Sequence, residues 1–163
     1  MPRRPHYRFR SVWDLDAPPA RVYALLEDPG RYPAWWPQVR EVRPLEGRDG
    51  PDGRAATALI RSVLPYGIHV TLTGLLRDPA RGVLEVALRG DIEGWARWTV
   101  RARRGPAGPG TRALYEQEVE VRAEPLRRMS LPARPLLRLN HALMMRAGRR
   151  GLSALLAAPR EAV

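Results

Sequence analysis

The N-terminal part of the chain alternates between two kinds of side chain from His6 to Asp16. A period of two residues is typical of a strand with one buried face, because successive side chains of a strand point to opposite sides of the sheet. The face predicted to be buried carries Tyr7, Phe9, Ser11, Trp13 and Leu15. The opposite face is mainly charged, so this strand is predicted to pack on a core from one side only.

Two short helical segments are predicted after this strand. The segment Ala17-Pro18-Pro19 opens the first one, since proline is tolerated in a first helical turn, and Asp16 is placed to cap it. Asp28-Pro29-Gly30 ends this helix. The next segment, residues 32–37, contains too many prolines for a long helix, and we expect one of its two tryptophans to plug the core and the other to cover the surface.

Six further strands are predicted up to Pro125, separated at roughly even spacing by segments rich in glycine, proline and aspartate. Short loops of this composition favour antiparallel hairpins. The predicted strands lie near residues 38–45, 55–64, 67–77, 82–89, 94–104 and 111–122.

From about residue 132 to residue 158 the pattern changes to that of one long amphipathic helix. At about 100° per residue, one apolar arc is predicted to face the core, with these members: Leu136, Leu137, Leu143, Met144, Ala147, Ala154 and Leu155. Asn140 lies in the middle of this arc and His141 at its flank. An amide in that position needs hydrogen-bond partners, which makes Asn140 a candidate functional residue.

The length of 163 residues is that of one domain, and we expect residues 1–163 to form a single domain. Cysteine is absent and the three histidines, His6, His69 and His141, are far apart in sequence. Disulfide frameworks, thiol catalysis and zinc fingers are therefore excluded, and we expect no metal and no cofactor. No apolar run approaches the roughly 20 residues of a membrane span, and no apolar stretch follows the basic start. The expected location is therefore cytoplasmic.

The order of elements, together with several short motifs, resembles the SRPBCC superfamily, also called START-like or Bet v 1-like. The N-terminal motifs are the segments 15–23, 26–28 and 32–37. Later motifs resemble the polyketide cyclase/dehydrase and lipid-transport branch: Gly90-Asp91-Ile92-Glu93-Gly94 before Trp98, Thr111, Tyr115, Asn140-His141, Met145, Gly148 and Gly151-Leu152. The resemblance spans nearly the whole chain.

The resemblance implies an α+β helix-grip fold. In this fold a curved seven-stranded antiparallel sheet wraps around the long C-terminal helix, with two short helices after the first strand. It also implies a cavity between sheet and helix for a hydrophobic or aromatic small molecule. The inward faces agree, since they mix aromatic residues with small or polar ones, as in a ligand pocket. The expected binding residues are Tyr7, Phe9, Ser11, Trp13, Ile60, Ser62, Trp98, Tyr115, Gln117, Leu137, Asn140, His141 and Met144.

The sequence offers few candidates for catalysis. Acyl or glycosyl transfer needs a nucleophile with a base, or two facing carboxylates, and no such arrangement is recognisable. Cyclases and dehydratases of the resembled family need only a preorganised pocket and one or two acid/base groups. Tyr115, Asn140 and His141 are the candidates for these groups. The alternative for His141 is a structural histidine at a helix flank.

Three function classes follow from the resemblance. The first is a binding or carrier protein for a lipid, isoprenoid, quinone-like or polyketide-like molecule. The second is a polyketide cyclase, aromatase or dehydratase that uses the same cavity. The third is an interaction or stress-response module with a filled core. Replacement of the polar pocket residues distinguishes the first two, because a carrier loses affinity whereas an enzyme loses turnover.

The net charge of +11 comes from 28 basic residues, every one of them arginine, against 17 acidic ones. The excess is concentrated at residues 125–160, which hold eight arginines and no acid. Compositional bias explains a chain without lysine, and no recognition motif supports specific nucleic-acid binding. The remaining possibilities are a solvated arginine face and a transient contact with a membrane surface or an acidic carrier protein. The oligomeric state stays open.

Overall fold

The computed structural model describes residues 5–47, 53–61, 67–106, 108–128 and 134–159. Seven strands form one sheet: β1 (His6–Leu15), β2 (Val39–Pro44), β3 (Ala55–Arg61), β4 (Gly67–Asp78), β5 (Val83–Gly90), β6 (Ile92–Gly105) and β7 (Gly108–Val121). The helices are α1 (Pro19–Leu26), α2 (Tyr32–Trp35), α3 (Glu124–Arg128) and α4 (Arg134–Ala157), with a 3-10 turn at Pro29–Arg31. The short helix α3 was not expected from the sequence.

All neighbouring strands are antiparallel, and their order across the sheet is β1-β7-β6-β5-β4-β3-β2. Strands β2 to β7 follow one another as hairpins, and β1 joins the far edge by pairing with β7. The seven-stranded antiparallel sheet, the two short helices after β1 and the long C-terminal helix confirm the α+β helix-grip architecture. Among the described residues, no helix is both long and apolar enough to cross a membrane.

Helix α1 begins without the predicted cap. Pro18 occupies the capping position, and no side chain accepts a hydrogen bond there. Asp16 instead accepts a hydrogen bond of 3.0 Å from Nη2 of Arg103. The proline pair itself sets the start of the helix, because its fixed backbone angle suits a first turn.

Helix α4 turns a different face to the sheet from the one that its leucines predict. Its buried residues are Met145, Gly148, Leu152 and Leu156. The predicted buried positions Leu136, Leu143 and Leu155 remain exposed by 40%, 43% and 39%. The helix is thus rotated by roughly a third of a turn from the expected orientation. The cause is close packing, because small residues at this face let the helix approach the aromatic rings below it.

The interior has two parts of different character. One part is a dense core around the tryptophan cluster, which we define as Trp13, Trp35, Trp36 and Trp98. The other, which we name the hollow half, is formed by Tyr7, Val70, Leu88, Ala96, Val119 and Val121.

Both tryptophans of residues 32–37 are buried, with 6% and 3% of their surface exposed, so the expectation that one covers the surface is wrong.

Candidate functional site

A cavity of about 550 Å³ lies between the inner face of the sheet and α4, in the hollow half. The strands provide its floor, because their inward positions carry mainly aliphatic side chains such as Val70, Leu72 and Val86. Helix α4 provides one wall with Leu137, Asn140, His141 and Met144. A space of this size with mostly apolar walls is typical of small-molecule binding sites.

The strand register gathers polar lining residues at one place. Phe9, Gln117 and Ala96 lie opposite one another in a row that crosses β1, β7 and β6. Tyr115 and Trp98 face each other in the next row. Because every second residue of a strand points to the same side, Tyr115 and Gln117 are neighbours on the cavity face of β7.

Tyr115, Gln117 and His141 form a hydrogen-bonded group that we name the polar cluster. The hydroxyl of Tyr115 donates to Oε1 of Gln117 over 2.8 Å. Nε2 of His141 lies 3.2 Å from the same oxygen. A carbonyl oxygen only accepts, so Nε2 of His141 carries the hydrogen and Nδ1 keeps its lone pair. The imidazole also stacks on Phe9, with ring centroids 3.9 Å apart.

Burial controls the charge of the polar cluster. It lowers the pKa of His141 to about 4, because the cationic imidazolium loses its hydration inside the protein. It raises the pKa of Tyr115 for the corresponding reason, since the phenolate is the charged form. At neutral pH the cluster is therefore uncharged, with a phenol that donates hydrogen bonds and an imidazole nitrogen that can accept a proton.

Two further hydrogen bonds hold the walls of the cavity in place. The indole of Trp36 donates to the backbone oxygen of Met144 over 2.9 Å, which ties α4 to α2. The hydroxyl of Tyr32 donates to the backbone oxygen of Leu26 over 2.5 Å, at the end of α1. Burial raises the pKa of Tyr32, so this donor keeps its proton.

Most residues predicted as binding residues line the cavity: Tyr7, Phe9, Ile60, Trp98, Tyr115, Gln117, Leu137, Asn140, His141 and Met144. Trp13 does not, because its indole is 2% exposed and packs against Trp36 and Trp98. Ser11 lies on the inner face of β1, but its short side chain does not reach the cavity lining. Ser62 lies outside the described residues.

Sequence reasoning missed the side of the cavity that β2 to β5 and the end of α1 provide. This part of the lining includes Leu26, Tyr32, Val39, Val42, Val70, Leu72, Leu84, Val86 and Leu88. The signal was present on β4, where Ile68, Val70 and Leu72 alternate with polar residues. For α1 and the turn after it there was no such signal, because their position over the sheet is a tertiary feature.

Within the described residues no group of three or more histidine or acidic side chains is placed to hold a metal ion. Ionised side chains in the lining are engaged with each other or with neighbours: Arg77 pairs with Glu27 over 2.9 Å, and Glu85 accepts from Arg97 over 2.7 Å. The polar cluster instead offers uncharged donors and acceptors. This arrangement suits recognition of a carbonyl or hydroxyl on an otherwise apolar molecule.

Comparison with solved structures places the chain among helix-grip proteins. An aromatase/cyclase named Zhui from Streptomyces sp. R1128 is 19% identical, with 93% of this chain and 94% of that one covered and a TM-score of 0.69. A START superfamily protein from Mycobacterium smegmatis is 15% identical, with 93% and 97% covered and a TM-score of 0.68. A protein from Thermus thermophilus is 16% identical, with 93% and 99% covered and a TM-score of 0.68. At these identities the likeness establishes the fold alone.

Comparison of sequences gives the family. No relative is found among curated proteins. The family described as polyketide cyclase / dehydrase and lipid transport, however, matches residues 6–157, from the first residue of β1 to the last residue of α4. The match includes every element that forms the cavity, and the chain therefore belongs to the polyketide cyclase / dehydrase and lipid transport family.

Proposed function

We propose that this protein binds one hydrophobic small molecule in the cavity between the sheet and α4, as a binding or carrier protein. The observation that carries the proposal is a mainly apolar space of about 550 Å³ with the uncharged polar cluster in its wall. The ligand class is a lipid, an isoprenoid or a polyketide-like molecule. Its apolar body lies against β3 to β6, and an oxygen or hydroxyl group meets Tyr115, Gln117 or His141.

The volume of the cavity and the apolar character of its lining both support this function. Ligand cavities of folded proteins measure roughly 300–1,000 Å³, which includes the value here. Val70, Leu88 and Val119 line this space with apolar surface, so an apolar ligand that fills it removes that surface and its own from water. A filled-core interaction module has no support from such a cavity.

The first test is native mass spectrometry of the purified protein, followed by thermal unfolding with hexadecanol, geranylgeraniol and the aromatic polyketide emodin. We expect at least one of these molecules to raise the melting temperature progressively with its concentration, since it binds only the folded chain. No copurified adduct and no stabilisation by any of the three would overturn the proposal.

A matched pair of variants locates the binding. Ala96→Phe places a ring in the cavity, because Ala96 is a buried residue of its floor. Val12→Phe introduces the same ring at a position that is 47% exposed on β1. Binding is expected to weaken at least about tenfold in Ala96→Phe and to stay unchanged in Val12→Phe. Equal losses in both variants would place the ligand elsewhere.

The second candidate function is a polyketide cyclase, aromatase or dehydratase in the same cavity. The polar cluster favours it, because a phenol donor and an imidazole nitrogen with a lone pair line the same cavity, and proton transfer needs an acid and a base at one place. A thioester of a linear poly-β-ketone is the substrate to supply, and cyclised product is detected by liquid chromatography with mass spectrometry. In an enzyme, His141→Gln and Tyr115→Phe lower kcat while binding survives; in a carrier they change affinity alone.

We further propose that the protein loads its ligand at an anionic membrane surface. Leu136, Leu139 and Leu143 form one stripe along α4 and are 40%, 54% and 43% exposed. Arginines accompany this stripe, and the described part of α4 carries no acidic residue. Exposed apolar side chains with neighbouring positive charge suit insertion between anionic head groups.

Vesicle flotation tests this docking. Binding is expected to vesicles that contain phosphatidylserine, to weaken with salt, and to fall at least about fivefold in Leu139→Asp relative to Ser153→Asp, an exposed control on the same helix. Binding to neutral vesicles of equal strength, or binding to an acidic carrier protein instead of any vesicle, would contradict it.

A further inference from the structure

A second, smaller pocket of about 270 Å³ lies beside the main cavity, where the start of β2 and the end of β3 approach α4. Its lining includes Gln38, Arg40 and Arg61 from the strands and Asn140 and Met144 from the helix. Two positively charged residues and no acidic one therefore lie in its wall.

Neither of these two arginines is paired with a carboxylate of the described residues. Neither Arg40 nor Arg61 makes an ion pair or a side-chain hydrogen bond to any described residue, whereas Arg43 on the same strand as Arg40 pairs with Glu41. Two unpaired guanidinium groups on one small pocket repel each other and attract an anion. Arginine is also the side chain that matches the geometry of carboxylate and phosphate.

A bulge in β2 creates this arrangement. The register shifts between Val39 and Glu41, so Arg40 is an extra residue without a partner on β3. The backbone N–H of Arg61 donates to the oxygen of Gln38 over 2.7 Å, which fixes the end of β3 beside the same bulge. Bulges redirect side chains at the rims of sheets and near functional sites.

An orphaned polar atom marks the same pocket. Oε1 of Gln38 is buried and has no hydrogen-bond partner among the described residues. A buried acceptor without a donor is unfavourable, and few are tolerated in folded proteins. A hydroxyl or amide N–H on a bound molecule would satisfy it.

The two cavities share a wall. Asn140 and Met144 line both of them. Methionine is flexible and adapts its shape to neighbours, so one molecule can pass Met144 and occupy both spaces. The apolar stem would then lie in the main cavity and the polar head in the smaller pocket.

From these observations we propose that Arg40, Arg61 and Gln38 form a head-group subsite for an amphipathic anion, a molecule with an apolar body and a terminal carboxylate or phosphate. This inference rests on the proposed binding function and narrows its ligand class. The arginines bind the anionic oxygens, and Oε1 of Gln38 accepts a hydrogen bond from a hydroxyl or N–H near the head.

Isothermal titration with three probes of equal chain length tests the subsite: palmitate, hexadecyl phosphate and hexadecanol. The wild-type protein is expected to bind at least one of the two anions about tenfold or more tightly than the alcohol. The anion that is preferred distinguishes a carboxylate from a phosphate head, and inorganic phosphate tests whether the head alone binds. Added salt is expected to weaken the binding of the two anions and to leave the binding of the alcohol unchanged.

The variant Arg40→Gln/Arg61→Gln removes the charge from the subsite without touching the main cavity. We expect it to bind the anions and the alcohol with equal affinity and to keep the wild-type affinity for hexadecanol. The control is Arg101→Gln, an exposed arginine of β6 that lies opposite Arg112 of β7 and outside both pockets, and this variant is expected to keep the preference for anions.

The outcomes separate the two proposals. If the wild-type protein binds hexadecanol and both anions equally, or if the double variant keeps the preference, the subsite is wrong and the binding function stands. If none of these probes binds the wild-type protein, and geranylgeraniol and emodin do not bind it either, the binding function fails and the subsite fails with it.

Discussion

The two halves of the interior are built from the same sheet and the same helix, yet one is filled and the other is hollow. In the filled half, the ring of Trp13 contacts those of Trp36 and Trp98 with centroids 5.4 and 4.7 Å apart. In the hollow half, smaller side chains such as Val70 and Ala96 leave a space of about 550 Å³. Side-chain volume, rather than backbone architecture, makes the difference.

The comparison shows how one sheet and one helix accommodate both a packed core and a cavity. A cavity forgoes the dispersion contacts that a packed core would make, which lowers stability. The tryptophan cluster offsets this loss because aromatic side chains bury the largest areas. Trp98 belongs to both halves, since it packs on Trp13 and also lines the cavity beside Tyr115. The packed core and the cavity thus lie at different ends of one sheet.

Removing a large side chain from each half is expected to give the largest effects on the free energy of unfolding. Trp13→Ala is expected to lower the free energy of unfolding by about 3–5 kcal/mol, because a buried indole leaves a void that its neighbours cannot fill. Leu88→Ala in the hollow half is expected to cost about 2 kcal/mol, since that side chain already borders empty space. Urea denaturation measures both values. Equal losses would show that the two halves do not differ in packing.

Adding a methyl group tests how closely α4 approaches the filled half. A Cβ at Gly151 would collide with the backbone oxygen of Trp35, and the neighbouring backbone cannot move away cheaply. Gly151→Ala is expected to cost about 3 kcal/mol, although alanine favours helix. Gly105→Ala is the control, because its Cβ would meet only the flexible end of Arg103 at 3.2 Å. Thermal unfolding should show a marked decrease for the first variant alone.

Acidification is expected to destabilise the hollow half through His141. In the folded protein burial holds the pKa of His141 at about 4, whereas the unfolded imidazole has a pKa near 6.5. Between these two values the unfolded chain binds the additional proton, so stability falls as the pH decreases from 6.5 to 4. The neighbours Phe9, Tyr115 and Gln117 are uncharged and do not compensate.

The free energy of unfolding is expected to fall by about 2–3 kcal/mol between the folded and the unfolded pKa of His141. Urea denaturation at several pH values measures it, and His141→Gln serves as the reference because it has no titrating group. The free energy of unfolding is plotted against pH for both proteins, and the difference between the two slopes is due to His141 alone. Identical slopes would mean that His141 is protonated as easily in the folded chain as in the unfolded one.

Replacing two alanines with a larger residue is expected to give the smallest effects on the free energy of unfolding. The two variants introduce the same side chain, so they differ only in its position. Ala113 is fully buried against the tryptophan cluster and does not line the cavity, whereas Ala96 on the adjacent strand does. Ala113→Leu is expected to cost about 2 kcal/mol, and Ala96→Leu less than about 0.5 kcal/mol with weaker ligand binding. If Ala96→Leu is the more destabilising of the two, the cavity has no room for added side-chain volume.

The sheet could be predicted from sequence because its signal is local. The alternation along β1 placed Tyr7 and Phe9 on the inner face, and the alternation along β7 placed Tyr115 and Gln117 there. Once the helix-grip order is recognised, these positions and His141 on α4 must meet across the cavity. The polar cluster was therefore within reach of sequence reasoning, although its hydrogen bonds were not.

The failures have a common cause, which is that three-dimensional packing outweighs local hydrophobicity. The leucines of α4 predicted one buried face, but close approach at Gly148 and Gly151 selects another. Trp13 was expected in the cavity, but contact with other indoles takes it into the filled half. The smaller pocket depends on a bulge at Arg40, and no local sequence pattern predicts this shift of register between β2 and β3.

The pairing of β1 with β7 has a consequence for how the chain acquires its structure. His6 lies opposite Glu120, more than a hundred positions later, and this pairing continues along the whole length of β1. A ribosome releases β1 before β2 to β6, and its hydrogen-bonding partner β7 emerges more than a hundred residues later. Contacts between distant parts of a chain slow folding, because a long loop must close before they form. Closure of the β1–β7 pair is therefore expected to be a late step, and a truncated chain without β7 would leave the N–H and C=O groups along this edge of β1 unpaired and open to aggregation.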